Sequence, residues 1–191
     1  LCLPEVDSMN ITYTTPPVAN AGLDQTGCAN NPLGLNGVIT GGSGTGIWTT
    51  PNGSGSFTPS SVALTGNYTP TNSDTAVSPI MLILTSTFNG GCFADADTVM
   101  ITVVPGPEVN AGIDQTVCSN NASVSLTGTV LNATGVVWST LSNGTFTPDS
   151  ISLSTTYIPD TAAINSGSDT IIITSTGNGT CTAVTDTMII T

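Results

Sequence analysis

The stretch Asn20-Ala21-Gly22-Leu23-Asp24-Gln25-Thr26-Gly27-Cys28 returns almost letter for letter as Asn110-Ala111-Gly112-Ile113-Asp114-Gln115-Thr116-Val117-Cys118. The step between the two is 90 residues. A fixed period of that size means one structural unit used repeatedly, each copy burying its own core within the period. A later cysteine marks the same register. Cys2 precedes Asp7-Ser8-Met9, Cys92 precedes Asp97-Thr98-Val99, and Cys181 precedes Asp186-Thr187-Met188. The spacing therefore predicts the last strand of a preceding repeat over 1–17, one complete repeat over 18–106 and a second over 107–191. Pro16-Pro17 and Pro105-Gly106-Pro107 stand at the joints, where proline gives a short, semi-rigid spacer. The chain reads as a segment of something longer.

Within each copy the apolar residues alternate with period two, the strand signature, and no stretch has helical periodicity. Strands are expected over 18–26, around Leu33 to Val38, at Ile47-Trp48, around Phe57 and Tyr68, over 80–87 and over 96–104, with Asn89-Gly90-Gly91 as a hairpin turn. The second copy matches with Val124, Trp138, Phe146, Tyr157, Ile171 and the turn Gly177-Asn178-Gly179. About seven short strands per unit predict an all-β chain of tandem immunoglobulin-like antiparallel sandwiches. Trp48, Trp138, Tyr68 and Tyr157 then belong in the cores rather than on ligand platforms.

Composition removes whole classes of function. The chain has 12 Asp and Glu and no Lys, Arg or His, although basic residues ordinarily make up about half of a charged fraction near ~25%. Without cations there is nothing to neutralise nucleic-acid phosphate or an anionic membrane surface. No side-chain salt bridge and no Lys–Asn isopeptide crosslink can form. The usual general bases and anion clamps are missing too, so no enzyme is expected. Asp95 and Asp97 could in principle form a glycosidase-like pair, but Val184 replaces Asp95 in the second copy. No apolar run reaches membrane-spanning length. No cofactor is expected. The carboxylates of Glu108 and Asp114 with Asn110, or Asp95 with Asp97, are the sole candidates for bound Ca2+, and they lack the dense acidic loop such sites use.

The five cysteines fit an oxidising compartment. The simplest pairing is within each repeat, Cys28–Cys92 and Cys118–Cys181, closing loops of 64 and 63 residues. Each bond would contribute roughly 4 kcal/mol by restricting the unfolded chain, and the partner of Cys2 would lie outside the chain. Immunoglobulin topology raises an objection, because it places the two cysteines of one repeat at opposite poles. It also permits Cys28–Cys181 across the joint.

The Asn-Ala-Gly-x-Asp-Gln-Thr-x-Cys opening, the strand tryptophan, the Tyr-x-Pro and the late cysteine resemble the PKD-like immunoglobulin-type repeats of Bacteroidota surface proteins, above all giant SprB-type gliding adhesins. The resemblance covers the whole chain. It departs from true PKD domains in lacking Phe-Gly-Asp-Gly after the tryptophan. It implies spacer repeats of a type IX-secreted filament, extracellular and attached at the outer membrane. Neighbouring repeats would follow end to end, and surface polysaccharide or another substratum would be engaged by parts outside the segment. Alternatives are a carbohydrate- or protein-binding module and a surface-layer lattice subunit. The resemblance also implies O-glycosylation at Asp-Ser/Thr-apolar sequences, here at Ser8, Thr75, Thr98, Ser150, Thr161, Thr170 and Thr187. In the final strand of each unit, alternation turns Thr98 and Thr187 outward. A glycan there would screen a strand with no Lys to deter edge pairing.

Overall fold

In the segment Ile80–Thr87, every second residue is turned inward, and Ile80, Leu82 and Leu84 are wholly buried. This is what period-two alternation produces once a strand is covered on one face. The computed structural model describes residues 4–191. It is an all-β chain of tandem immunoglobulin-like domains, divided into two compact units.

In the first unit, β1 (Val18–Asn20) pairs antiparallel with β4 (Val38–Thr40). One sheet has the order β2 (Gln25–Cys28), β9 (Ala96–Val104), β8 (Ile80–Thr87), β5 (Thr45–Thr49). The other has the order β3 (Leu33–Asn36), β7 (Thr65–Thr69), β6 (Ser56–Thr58). The core holds Leu35, Trp48, Tyr68, the three apolar inward residues of β8, and Val99 with Ile101 of β9. Burying a large apolar side chain contributes about 1.5–3 kcal/mol, so these residues dominate the unit's stability. Trp48 also donates its indole N–H to the Leu64 carbonyl at 3.2 Å, satisfying its one polar atom.

The second unit repeats the plan. β10 (Glu108–Asn110) pairs with β12 (Thr129–Leu131). The two sheets are β11 (Val124–Thr127), β15 (Ser154–Ile158), β14 (Thr145–Thr147) and β13 (Gly135–Thr140), β16 (Asp169–Thr176), β17 (Thr185–Ile190). Its core includes Leu126, Val136, Trp138, Tyr157, Ile171, Ile173 and Met188.

Three features differ from the periodicity. The expected first strand over 18–26 is interrupted between Asn20 and Gln25, giving β1 and β2. A short helix α1 (Thr161–Ser166) follows β15. Asp160 caps it by accepting from the Ala163 N–H at 2.8 Å, and Gly167 ends it in the left-handed conformation with φ 79°. Six residues are too few to display a 3.6-residue period, so only the caps could have announced this helix. Residues 4–17, expected as a terminal strand, form none. Cys2 lies outside the described residues.

The second unit consists of Gly27–Asn31 together with Val103–Thr191. The sequence register counts Gly27–Asn31 with the first copy. Its attachment is physical: the Ala29 N–H donates to the Val104 carbonyl at 2.9 Å, and Cys28 bonds to Cys181.

Gly37 lies at the break between β3 and β4. A Cβ there would stand 2.7 Å from Trp48, 2.8 Å from Leu84 and 2.9 Å from the Leu64 carbonyl oxygen. Gly37→Ala is expected to cost about 1–3 kcal/mol through overpacking. Denaturant unfolding of the variant beside the parent checks this, and an unchanged midpoint would show that the tryptophan moves aside freely.

Candidate functional site

The best-repeated stretch is the natural place to look for a site, and its Asn, Asp and Gln side chains each have a task within the fold, while Leu23 and Ile113 are exposed. Asn20 accepts from the Gly22 N–H through its side chain at 2.9 Å, and Asn110 does the same for Gly112 at 2.7 Å. These are Asx turns, in which the side chain stands in for a backbone carbonyl. Gly22 and Gly112 take φ of 91° and 94°, a region that a side chain would strain. Ala21 and Ala111 are buried. Their N–H groups donate to Asp97 and Asp186, both at 2.8 Å. Asp24 and Asp114 accept from the Met100 and Ile189 N–H groups of the last strands, at 2.9 and 2.8 Å. Gln25 and Gln115 donate to the Gly34 and Ser125 carbonyls. The motif thus carries the opening segment from pairing with the neighbour of β1 or β10 over to the last strand of the unit.

Several other acids are spent similarly. Asp95 accepts from the Ala19 N–H at 2.8 Å. Asp74, almost wholly buried, accepts from the Ser54 N–H and hydroxyl and the Thr71 N–H at 2.7–2.8 Å. Asp149 accepts from the Ile151 and Ser152 N–H groups. Asp169 accepts from the hydroxyls of Tyr157, Thr140 and Ser142. The Asp of the Asp-Ser/Thr-apolar pattern therefore has a structural task at Asp74, Asp97, Asp149, Asp160, Asp169 and Asp186, a reading that spacing alone did not reveal. Of the hydroxyls beside them, Ser8, Thr98, Thr161 and Thr187 are exposed, whereas Thr75, Ser150 and Thr170 are half-buried.

The core tyrosines meet their acids from different places. By the repeat register, Asp74 corresponds to Ala163 and Ile80 to Asp169. Each unit keeps one carboxylate near its tyrosine, but on a different element. Burial, then the hydrogen bond to Asp169, pushes the Tyr157 phenol above its ordinary range. Burial works against ionisation of Asp74 and of Asp169. Hydrogen bonds outweigh it at both, from Thr71 and Ser54 at Asp74 and from Tyr157, Ser142 and Thr140 at Asp169, and both carboxyls lie below their ordinary values.

The cysteines correct the pairing expected within each repeat. Cys28 is bonded to Cys181, with Cα atoms 5.3 Å apart and a sequence separation of 153. Cys92 and Cys118 are free thiols. The physical reason is the one topology raised. The turn bearing the late cysteine and the end of the segment bearing the early one lie at opposite ends of an immunoglobulin-like unit. Cys92 instead has Thr14 beside it, with sulfur and hydroxyl 3.3 Å apart.

Among the described residues no three His, Cys, Asp or Glu side chains gather as a metal site. Of the candidate calcium ligands, Asn110, Asp114, Asp95 and Asp97 hold the backbone bonds described above. The second unit has a shallow cavity of about 110 Å³ that includes Val117, Tyr157, Ala163, Asp169 and Ile190. Ligand pockets typically run to ≈ 300–1,000 Å³, and the carboxylate here is already engaged.

No protein-family profile and no curated protein matches the chain. Solved structures similar to it are tandem immunoglobulin-domain proteins. A three-domain titin fragment, I67–I69, is 12% identical over 92% of this chain and 65% of its own, with a TM-score of 0.37. Sidekick-1 domains 1–4 are 12% identical over 96% of this chain and 51% of theirs, at 0.40. The eight N-terminal domains of Down Syndrome Cell Adhesion Molecule are 12% identical over 91% and 27%, at 0.44. The chain thus spans less than two thirds of the length of each of these.

Two outcomes follow from the carboxylates. Asp97→Ala and Asp186→Ala each leave the amide of a buried alanine without its acceptor, and each is expected to cost about 1–3 kcal/mol. Urea titration of the pair reads this, and loss at only one would show that the two copies are not held alike. For Asp74 and Asp169 the folded pKa lies below the unfolded value near ~3.9. Their contribution is therefore complete above about pH 4 and is lost as pH falls through the folded values. Acid titration followed by circular dichroism is expected to show this loss, with Asp74→Asn already weakened at neutral pH and less acid-sensitive.

Proposed function

We propose that the chain is a spacer segment of a long extracellular surface adhesin. The tandem immunoglobulin-like fold is that of structural or adhesion-type repeats. The observation that carries the reading is that the best-repeated side chains, Asn20, Asp24 and Gln25 with their second-copy counterparts, all bond to backbone of the chain itself. A binding module would keep some of its invariant polar groups for a ligand.

The disulfide supports an oxidising, secreted or surface location, and among the described residues no helix is long and apolar enough to cross a membrane. The repeat motif supports an origin in SprB-type gliding adhesins exported by the type IX route to an outer-membrane-attached filament. Further repeats in series are the natural partners. Substratum such as surface polysaccharide would be met by other parts of the parent protein. O-glycosylation fits best at the exposed hydroxyls Ser8, Thr98, Thr161 and Thr187. Uniform negative charge keeps neighbouring filaments apart, and the absence of Lys and Arg removes trypsin-type cleavage sites. We propose no catalytic role.

A glycan array probed with the isolated chain tests the spacer reading. No binding above background is expected, and selective capture of one glycan class would replace the spacer with a lectin-like module. Mass measurement of peptides released from native material is expected to find those bearing Ser8, Thr98, Thr161 and Thr187 heavier than their bare sequences by whole glycan units, and bare peptide masses would remove the glycosylation.

A further inference from the structure

The described cysteines form one finished bond, Cys28–Cys181, and leave two thiols, Cys92 and Cys118. By the repeat register Cys92 is the counterpart of Cys181, and Cys118 the counterpart of Cys28. The local backbone agrees. The Cys92 N–H donates to the Asn89 carbonyl at 3.1 Å, and that of Cys181 to Asn178 at 3.0 Å. The Cys28 carbonyl accepts from Asn31 at 3.2 Å, and that of Cys118 from Asn121 at 2.9 Å. The Cys181 sulfur lies 3.8 Å from the Pro105 carbonyl, and the Cys92 sulfur 4.0 Å from that of Thr14, each in the segment leading into its unit's first strand. The Thr14 carbonyl holds the register position of Val104, whose carbonyl accepts from Ala29, the residue after the bonded Cys28. The two thiol positions thus repeat, separately, the surroundings of the two sulfurs that are already bonded.

We infer that Cys92 and Cys118 are reciprocal covalent docking sites for further copies of this repeat. Cys118 takes the turn cysteine, of Cys92 type, from a following copy. Cys92 takes the early cysteine, of Cys118 type, from a preceding one. The recognised partner is a second copy of the same fold, presenting the residue after its early cysteine to the Thr14 carbonyl as Ala29 presents its N–H to Val104. The inference goes beyond the spacer role and stands on the observed Cys28–Cys181 bond. The chemistry is thiol–disulfide exchange with an oxidised small disulfide. The Cys118 thiolate attacks the oxidant and expels one thiol. The Cys92 thiolate of the other copy then attacks the Cys118 sulfur and expels the second. One protein S–S bond forms, the oxidant's S–S bond becomes two thiols, and the two protein protons pass to them.

The test uses the 191-residue chain with Cys2→Ser, so that no third thiol contributes, in a glutathione redox buffer at high protein concentration. A non-reducing ladder of dimers, trimers and longer species is expected, linked Cys118 to Cys92. The link is mapped with an acid-directed protease, since the chain offers trypsin nothing to cut. C92S or C118S alone is expected to abolish the ladder and leave monomers, because neither variant keeps both halves of the link. Mixing the two variants is expected to restore a heterodimer, in excess over either homodimer, through the remaining complementary pair. Monomers with both thiols capped by glutathione, or crosslinks that are chiefly Cys118–Cys118, would overturn the assignment. Folding of each variant is checked by its retained Cys28–Cys181 bond and circular dichroism.

Discussion

A carboxylate accepting a backbone N–H is the interaction on which both units depend. A chain with no Lys, Arg or His still has 12 acidic side chains to accommodate, and no cation can offset their desolvation. Backbone amides do so instead. Asp97 and Asp186 hold the amides of Ala21 and Ala111, while Asp24 and Asp114 reach the opposite way to Met100 and Ile189. Bonds to an ionised acceptor are about twice as strong as neutral ones, and here they also close the sheet. The opening segment cannot follow one straight ladder, because it leaves β4 or β12 for the last strand. The amides freed at that crossing need partners, and the aspartates supply them. The repeated motif and the missing cations are therefore two sides of one design, in which negative charge is neutralised locally by main-chain dipoles.

The two copies share this device but not every detail of their interiors. The acid near the core tyrosine comes from the 3-10 turn Asn72–Thr75 in the first unit and from the start of β16 in the second. Where Asp169 enters, Ile80 stood, and where Asp74 left, Ala163 packs in α1. The exchange keeps one carboxylate in each site and avoids two like charges meeting there, which no nearby cation could relieve.

Much of this was legible in the sequence because it rests on period and side-chain type. Alternation located β5, β8, β9, β13, β16 and β17, and Trp48 and Trp138 were placed in the cores. The disulfide was not fixed by such signals. Loops of 64 and 153 residues differ in closure entropy by only about 0.8 kcal/mol, so spacing cannot choose between them; the placement of turn and strand end does. Asn20 caps the bend, whereas Asp24 bonds to Met100, a partner 76 positions away that no local pattern announces. Helix α1 was missed for its brevity. The aspartates beside Thr98 and Thr187 read as parts of a modification signal; that their carboxylates also anchor the segments following β1 and β10 was not legible, since a motif search sees letters without their partners.

The Cys28–Cys181 bond has a topological consequence for a chain pulled from its ends. Tension entering at the N-terminal side reaches Cys28, crosses the sulfur bridge and leaves from Cys181. The 153-residue separation, on the order of 500 Å of extended contour at roughly 3.5 Å per residue, lies off that path. Either unit could lose its sheets within the loop without lengthening the molecule by that contour. The bond thus separates thermodynamic stability from reach, since local melting inside the bracket costs order but not distance.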